Sequence, residues 1–417
     1  MGLSARNRYA RFASALNMPM DSGVVDITEE YLERKRNPLK PVIVSEGVCQ
    51  QNVLLGDEID LLRFPVPYIH EGDGGRYIST WHTIITKDPE SEWINYGMYR
   101  QMVHDRNHLG GLIVYPQHIG VHYRKYSENK SRMEFATAIG TEPVTAIVSA
   151  TMTDTGVSEA DIIGGLRGEP LQLVKARTVD LYVPAHAEII IEGYVDPFER
   201  REEGPFGEYT GYSASGRTEK PVYTVTAITH RDNPILTVSA MGVPVDDSAV
   251  VMPLTMGAEV LRELRDVRRH PVRFVFFPPE GTGHFCAIST RVPMKTYPRQ
   301  LATDFWSTKA GSMGNILLIV NDDVDITNLK DILWVLSTRV HLDRGISKFP
   351  QTFSSPLLPW LSPEERKYGE GARVLLDGTW PFDWPEEWVP KVSSFETIWP
   401  KEIQDMVLKN WKDYGFS

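Results

Sequence analysis

Apolar and polar positions follow two different patterns along this chain, and the patterns divide it near residue 232. Before that point, short apolar runs rich in β-branched and aromatic residues are bounded by turn formers, as is typical of strands. We expect strands at residues 77–86, 111–115, 144–150, 187–194 and 221–230. After it, strand-like and helix-like segments alternate, which favours a layered α/β arrangement. Here the expected strands are 234–239, 272–277 and 315–321, and the expected helices are 258–267, 295–308 and 329–338.

The end of the chain shows helical periodicity. Residues 401–414 carry one apolar stripe, formed by Ile403, Met406, Val407 and Trp411. A terminal amphipathic helix of this kind packs on its own domain or on a partner subunit, and the pattern leaves both possibilities open.

These patterns predict four regions. From the amino terminus they are a small α/β region, a β-rich region, an α/β domain and a helical tail suited to oligomerisation, at residues 1–72, 73–232, 233–380 and 381–417. One helix start interrupts the β-rich region, because Ser158 is a good N-cap and Asp161 follows three positions later, as in a capping box. This places the Glu159 carboxylate in the first turn of a helix.

Composition narrows the class of protein. The chain has 417 residues, enough for two or three domains with sizeable cores. Its formal net charge of −11 argues against a general nucleic-acid binder, which needs a basic surface. No segment approaches the roughly 20 apolar residues of a membrane span, and Cys49 and Cys286 are too few for a disulfide framework. We therefore expect a cytoplasmic protein without membrane or nucleic-acid partners.

The stretch EGPFGEYTGY is the most informative one for chemistry. Glu203 and Glu208 stand five residues apart on a backbone that contains Gly204, Pro205 and Gly207, so a turn is expected rather than a helix. Neighbouring carboxyl groups suppress each other's ionisation, and a cation beside one of them separates their pKa values. The pair is therefore a candidate for acid–base catalysis, and an acidic surface loop is the alternative.

A second set of candidates lies upstream. Arg100 is suited to binding a carboxylate through its planar fork, and an ordinary salt bridge is the alternative. Asn95, His118 and Glu159 supply a carbonyl, an imidazole and a carboxylate, which are donor types that bind Mn²⁺ or Mg²⁺. Their separations along the chain do not show that they meet, and a lone histidine after a strand is more often structural.

Several segments together carry a resemblance to a known family. They are INYGMYR at 94–100, YPQHIG at 115–120, VSATMTDTGVSEADIIGGLRGEP at 148–170, EGPFGEYTGY at 203–212 and NDDVDITNLKDILWVLSTR at 321–339. In this order they resemble the signature segments of the UbiD-type decarboxylases. Because several segments match in order, the resemblance is far more specific than any single motif.

The resemblance implies an α/β (α+β) protein. A central split β-barrel of the flavin-reductase type would lie between an N-terminal α/β domain and a C-terminal α/β domain with a helical tail. The implied activity is reversible, non-oxidative decarboxylation of an aromatic, heteroaromatic or α,β-unsaturated acid, with prenylated FMN as the electron sink. In this role Arg100 binds the substrate carboxylate, Glu203 orients Arg100, and Glu208 donates the proton that replaces carbon dioxide.

Cofactors and partners follow from the same resemblance. A Mn²⁺ (or Mg²⁺) ion that bridges to the flavin phosphate would be bound by Asn95, His118 and Glu159, and a K⁺ ion would lie near the backbone of residues 149–152. The implied cofactor-binding set is Asn95, Met98, Tyr99, Arg100, Gln117, His118, Ser149, Ala150, Thr151, Met152 and Glu159. The implied partners are the carboxylic acid, carbon dioxide, a flavin prenyltransferase that supplies the cofactor, and further copies of the chain in a homodimer or hexamer.

One departure from the family pattern concerns the flavin phosphate. Several relatives have a lysine just before the strand that leads to the acidic pair matched by Asp322 and Asp323. Here that place holds Asn315 and Ile316, and Lys309 lies upstream. The residue that binds the phosphate therefore stays open.

The substrate and two competing functions are also open at this point. The apolar run VVMPL at 250–254 contains no histidine that would engage a phenolic hydroxyl, and Gln117 sits where relatives have a glutamine or a basic residue. We expect an acid without a strict catechol requirement. An FMN-binding oxidoreductase on a split barrel and a non-catalytic subunit of a larger (de)carboxylase assembly are the alternatives, and neither needs all of the polar groups above.

Overall fold

The computed structural model describes residues 7–115, 117–213 and 216–416. The strands are β1 (Val42–Ile43), β2 (Asn52–Leu55), β3 (Tyr77–Ser79), β4 (His82–Lys87), β5 (Ile94–Gly97), β6 (Gln101–Val103), β7 (His108–Gly111), β8 (Met133–Ile139), β9 (Gln172–Lys175), β10 (Tyr182–Pro184), β11 (Ile189–Glu203), β12 (Thr218–His230), β13 (Val272–Phe276), β14 (Phe285–Thr290), β15 (Ile316–Asn321), β16 (Ile346–Phe353) and β17 (Glu370–Asp377). The helices are α1 (Ala10–Ala15), α2 (Val24–Lys35), α3 (His118–Glu128), α4 (Pro143–Ser149), α5 (Glu159–Arg167), α6 (Asp247–Leu261), α7 (Tyr297–Ser307), α8 (Leu329–Thr338), α9 (Pro363–Tyr368), α10 (Phe395–Ile398) and α11 (Lys401–Lys409).

The largest sheet has nine strands, all paired in antiparallel fashion. Its order is β3-β6-β7-β12-β11-β8-β4-β5, and β2 pairs with β12 beside β7. The expected mixed α/β fold with several sheets is confirmed, but the described strand pairs do not close this sheet into a barrel. Strands β3 and β5 are the two ends of an open path, because neither pairs with the other.

Strand β11 lies between two apolar cores. Ile190 packs in one cluster, whereas Ile189 and Ile191 pack in the other, as the two-residue period of a strand requires. The first cluster also takes in Ile147 of α4 and Ile288 of β14. The large sheet and the C-terminal sheet therefore share one continuous core, which fixes the end of β11 relative to both.

The C-terminal sheet has five strands in the order β13-β14-β15-β17-β16. Strands β14, β15 and β17 run parallel, and the two outer strands pair in antiparallel fashion. This alternation of strands with α6, α7 and α8 confirms the layered α/β arrangement expected after residue 232. A third, three-stranded sheet joins β1, β9 and β10.

Three strand predictions were wrong. Of the expected strand 111–115, only Gly111 lies in a strand, at the end of β7. Residues 144–150 lie largely in helix α4, which begins with Pro143 and has the Glu142 carboxylate accepting a hydrogen bond from the Thr145 backbone N–H. Proline is favoured in the first turn of a helix and a carboxylate caps it, so these end signals override the β-branched composition. Residues 234–239 form no strand.

The ends of the chain join larger structures or stay exposed. Strands β1 and β2 pair with β9 and β12, so the amino-terminal region contributes to two sheets. The predicted terminal helix is confirmed as α11, which has no buried residue, and Met406 and Trp411 are exposed. In the described part of the chain, no helix has both the length and the apolar character needed to cross a membrane.

Candidate active site

Three strand ends bring an arginine, a glutamate and a tyrosine together. Glu203 is the last residue of β11, Arg100 directly precedes β6, and Tyr77 begins β3. The Arg100 guanidinium binds Glu203 through two bonds, from Nε to Oε1 at 2.9 Å and from Nη2 to Oε2 at 3.0 Å. The Tyr77 hydroxyl donates to Glu203 Oε1 at 2.8 Å. Glu203 therefore has its carboxylate fully engaged in holding Arg100.

Glu208 lies on the remaining side of the same guanidinium. Its Oε1 accepts a hydrogen bond from Arg100 Nη1. The side chains of Arg100, Glu203 and Glu208 are 8%, 1% and 6% exposed, so the ion pairs are almost dry. The Phe206 ring covers the guanidinium at 5.1 Å from its centroid. One buried cation thus binds two carboxylates beneath an aromatic ring.

Burial determines the proton affinities of this group. It raises the pKa of Glu208, with Glu203 adding to the rise and Arg100 opposing it. Burial also raises the pKa of Tyr77, again with the help of Glu203. Although burial lowers the pKa of Arg100, the two carboxylates raise it more, so the guanidinium stays charged. Glu208 is the member of the set with the properties of a proton carrier.

A short turn holds Glu208 in place. Gly204 has φ +83°, a left-handed conformation that favours glycine. A Cβ on Gly74 would overlap the Gly204 carbonyl, and the Gly74 N–H donates to Pro205 O at 2.8 Å. The buried Asp73 carboxylate accepts the Gly207 N–H at 2.9 Å. The sequence analysis did not identify Asp73, because no local signal connects it to glutamates more than 100 residues away.

The three candidate metal ligands lie in one cluster. His118 Nδ1 is 3.3 Å from Glu159 Oε1, and the other oxygen of Glu159 accepts the Tyr96 N–H at 3.3 Å. Asn95, the residue before Tyr96, accepts from the Tyr99 hydroxyl at 3.4 Å, and its buried Nδ2 has no partner among the described residues. All three candidate ligands are buried. Only two of these three side chains, those of His118 and Glu159, are imidazole or acidic groups. Among the described residues, no group of three or more His, Cys, Asp or Glu side chains could hold a metal ion.

Lys309 completes this cluster. Its Nζ lies 2.6 Å from His118 Nε2 and donates to Thr153 O at 2.6 Å. Burial lowers the pKa of Lys309 to about 8, with Glu159 opposing the shift. Nε2 therefore accepts from the ammonium, while Nδ1 faces Glu159, and the donor types of Asn95, His118 and Glu159 fit a divalent ion.

Aromatic contacts fix the His118 ring. Trp93 packs edge-on against both His118 and His122, with ring centroids 4.8 Å and 4.5 Å apart. The Trp93 indole N–H donates to Val157 O at 3.1 Å. This tryptophan was missed in the sequence, because its position relative to α3 and α5 depends on the tertiary fold.

The other predicted cofactor residues surround the end of α4. The Met98 N–H donates to Ser149 O at 3.0 Å, and the Ser149 hydroxyl contacts the Thr83 hydroxyl at 2.7 Å. Residues 150–152 follow directly and are partly buried. Gln117, by contrast, is exposed at the start of α3. The helix end and the histidine cluster are adjacent because Thr153 bonds to Glu159 at 2.7 Å.

Comparison with family models gives two adjacent matches. Residues 40–244 match UbiD, described as the 3-octaprenyl-4-hydroxybenzoate carboxy-lyase Rift-related domain. Residues 249–378 match the C-terminal domain of the same carboxy-lyase, UbiD_C. All residues of the two clusters described above lie within these matches.

Individual relatives match over nearly the whole chain. Pyrrole-2-carboxylic acid decarboxylase of Pseudomonas aeruginosa is 31% identical, covering 98% of this chain and 84% of that protein. Ferulic acid decarboxylase 1 of Saccharomyces cerevisiae is 30% identical, covering 100% and 86%.

Solved structures give the same picture. The closed form of Sedimentibacter hydroxybenzoicus vanillic acid decarboxylase has a TM-score of 0.86 at 29% identity, with 98% of this chain and 86% of that one covered. The UbiD-class enzyme HmfF of Pelotomaculum thermopropionicum, in complex with FMN, has a TM-score of 0.80 at 29% identity, with 92% and 83% covered. An evolved dimeric form of HmfF in complex with prFMN scores 0.76 at 28% identity, with 91% and 83% covered.

Proposed function

Since this chain belongs to the UbiD family of decarboxylases, we propose that it catalyses the reversible, non-oxidative decarboxylation of an aromatic, heteroaromatic or α,β-unsaturated acid with prenylated FMN. The observation that carries the proposal is the buried group in which Arg100 binds Glu203 and Glu208 at once. The named relatives act on pyrrole-2-carboxylic, ferulic and vanillic acids, which share a carboxylate on an unsaturated carbon.

Arg100 is the residue that would bind the substrate carboxylate. Two of its donor groups are held by Glu203, while Nη1 is occupied by Glu208, a side chain on a turn. A substrate carboxylate would take the place of Glu208 at Nη1 and leave the rigid pair with Glu203 intact. Glu203 therefore acts by orienting Arg100, because a fixed fork binds a planar carboxylate in one direction.

Glu208 would then supply the proton. Arg100 is the group that holds its pKa down against burial, so losing that contact to the substrate raises the pKa further. Glu208 becomes protonated as the acid binds, which prepares it to protonate the carbon that loses carbon dioxide. Phe206 and the low exposure of the group keep water from competing for the proton.

The cofactor would lie between this group and the histidine cluster. Prenylated FMN supplies an electrophilic centre that accepts the electrons left when carbon dioxide departs. We assign its phosphate to Lys309, a partly buried cation that has no ion pair within 4 Å in the described residues. In this proposal Lys309 takes the role that a lysine just before β15 has in several relatives.

The metal ions belong to the same proposal. Mn²⁺ (or Mg²⁺) would bind to Asn95, His118 and Glu159, which supply one amide oxygen, one imidazole nitrogen and one carboxylate. K⁺ would bind near residues 149–152, where the carbonyls at the end of α4 carry the negative end of the helix dipole. Both assignments rest on donor chemistry.

The substrate, the assembly and the setting extend the proposal. We expect an acid without a strict catechol requirement, because the run 250–254 lies in α6 and presents no histidine. The nine-stranded sheet would take the shape of the split barrel of flavin reductases, and the exposed stripe on α11 would contribute to a homodimer or hexamer. A flavin prenyltransferase in the same cytoplasm would supply the cofactor.

The test is to produce the protein together with a flavin prenyltransferase and manganese. The mass and absorption spectrum of the released cofactor, and carbon dioxide release from pyrrole-2-carboxylate, ferulate and vanillate, are then measured. Prenylated FMN with turnover of at least one acid supports the proposal. Plain FMN, with flavin reduction and no carbon dioxide release, would favour the oxidoreductase instead.

A further inference from the structure

An apolar cavity of about 490 Å³ lies on the C-terminal sheet, outside the two clusters described above. Its walls are largely carbon and include Leu358, Trp360 and Val374. Cavities of this size bind small molecules, usually through an apolar wall and a few polar groups that fix the orientation. The polar groups of this cavity therefore indicate what it would bind.

Two buried hydrogen-bond acceptors in the cavity lack partners. His284 is 7% exposed and Asn315 is 5% exposed, yet His284 Nε2 and Asn315 Oδ1 have no hydrogen-bond partner within the described residues. The Asn315 amide nitrogen is already used, donating to Ser354 Oγ at 2.7 Å and to Ala372 O at 2.9 Å. A buried acceptor without a donor costs free energy, so an O–H or N–H group that enters the cavity beside these two neighbouring side chains would be bound favourably.

The protonation of His284 follows from its contacts. Nδ1 is 3.1 Å from the Met313 carbonyl and so carries the proton. Burial lowers the pKa of His284, although Met313 and Asn315 oppose the shift, and the imidazole is neutral near pH 7. Nε2 is therefore a bare acceptor. A ligand must present an O–H or N–H to this end of the cavity.

One cation of the cavity wall has no carboxylate partner. Arg373 pairs with Phe349, so its side chain lies on the opposite face of the sheet from that of Lys348, which pairs with Val374. Arg373 has no acidic side chain within 4 Å in the described part of the chain, and its Nε is buried without a partner. Arg373 uses Nη2 to donate to Ser312 O at 2.8 Å. This wall is suited to an anion, and a carboxylate is the anion that matches a guanidinium fork.

The cavity is connected to the turn that holds Glu208. The His284 ring stacks on Tyr209, with centroids 6.2 Å apart and planes inclined by 15°. Thr210 donates to Leu357 O at 3.4 Å, next to Leu358 of the cavity wall. His284 and the segment at Leu357 therefore connect the cavity to the turn that carries Glu208.

We propose that this cavity is a second binding site, separate from Arg100, for an aromatic or heteroaromatic carboxylate that bears an O–H or N–H group. The ring lies against Trp360 and Leu358, the donor group reaches His284 and Asn315, and the carboxylate reaches Arg373. The site does not depend on the proposed reaction, because binding is measured in flavin-free protein, in which no decarboxylation occurs.

The first experiment is crystallographic. Crystals of the flavin-free protein are soaked in 3-iodo-4-hydroxybenzoate, whose iodine marks its position by anomalous scattering. The expected result is an iodine peak in the cavity, with the hydroxyl near His284 and the carboxylate near Arg373. Only ordered water in the cavity, or iodine confined to the Arg100 group or to adventitious surface positions, would overturn the proposal.

The second experiment is calorimetric titration with 4-hydroxybenzoate. His284→Phe keeps the ring stack and removes the acceptor, so we expect affinity at this site to fall about tenfold. Lys330→Met on α8 changes an exposed residue outside the cavity lining and serves as the control, with no expected change in affinity. Benzoate lacks the hydroxyl donor, and methyl 4-hydroxybenzoate lacks the negative charge. Both should bind more weakly than 4-hydroxybenzoate. Equal affinity for all three ligands and all variants would refute the site.

Discussion

At the scale of single residues, Glu208 combines a proposed catalytic role with a cost to stability. Burial raises its pKa in the folded protein, so the ionised form is less favourable there than in the unfolded chain. Protonated Glu208 makes its full contribution to stability at pH values below its pKa in the unfolded chain. This contribution is lost as the pH rises through its pKa in the folded protein. Above that pH, the ionised carboxylate lowers the free energy of unfolding.

This predicts a pH-dependent effect of Glu208→Gln. At a pH of about 8 the variant should have a higher Tm than the wild type, because it removes an unfavourable buried charge. At a pH of about 4 the difference should disappear, since wild-type Glu208 is then protonated in both states. Thermal unfolding across this pH range measures the effect. If the variant is less stable than the wild type at high pH only, the ion pair between Glu208 and Arg100 outweighs the cost of burying the charge.

Lys309 is the residue whose assignment can be tested by flavin binding. Lys309→Met removes the cation assigned to the phosphate, so FMN affinity should fall about tenfold or more, as for loss of a charged hydrogen bond. Because the pKa of Lys309 is about 8, wild-type affinity should also decrease as pH rises through that value. Fluorescence titration with FMN measures both effects, with the exposed Lys295 changed to Met as the control. Unchanged affinity would remove Lys309 from the phosphate site.

Residue types were easier to predict than their neighbours. The sequence pointed to Arg100, Glu203 and Glu208, because carboxylates on a glycine-rich turn and a planar cation have recognisable chemistry. Tyr77 and Asp73 were not identified as belonging to this group, and Lys309 was not identified as a neighbour of His118. Tyr77 lies 126 residues from Glu203, and Lys309 lies 191 residues from His118, so only the folded chain shows these contacts.

At the scale of elements, the catalytic turn depends on close backbone approach. Gly74→Ala would force a Cβ against the Gly204 carbonyl, and we expect a loss of about 1–3 kcal/mol in the free energy of unfolding together with weaker decarboxylation. Gly72→Ala is the matched control, because nothing lies within 4 Å of its added Cβ. Denaturant unfolding and turnover of both variants check this. Equal behaviour of the two would mean that the turn does not rely on this contact.

The elements also show where local patterns succeed and fail. Ser158 was recognised as a cap, and its Oγ accepts the Asp161 N–H at 3.3 Å. The run 144–150 was read as a strand from its valine and isoleucine content, although Pro143 and Glu142 begin a helix there. End signals were thus better guides than composition for short apolar segments.

At the scale of the whole molecule, the alternation of strands and helices predicted the C-terminal α/β layer correctly. Whether the large sheet closes into a barrel was not predictable in the same way, because closure depends on which distant strands pair. Strands β3 and β4 illustrate this, since they were expected as one strand and instead pair with β6 and β8 in different parts of the sheet.

The most direct test compares carbon dioxide release by the wild type and by Glu208→Gln, each loaded with the same measured amount of prenylated FMN. With an acid that the wild type decarboxylates, the variant should lose at least about 100-fold in turnover, as for removal of a general acid, while it still binds the cofactor. Equal turnover by the two proteins would contradict the assignment of Glu208 as the proton donor, and with it the central role of the Arg100 group.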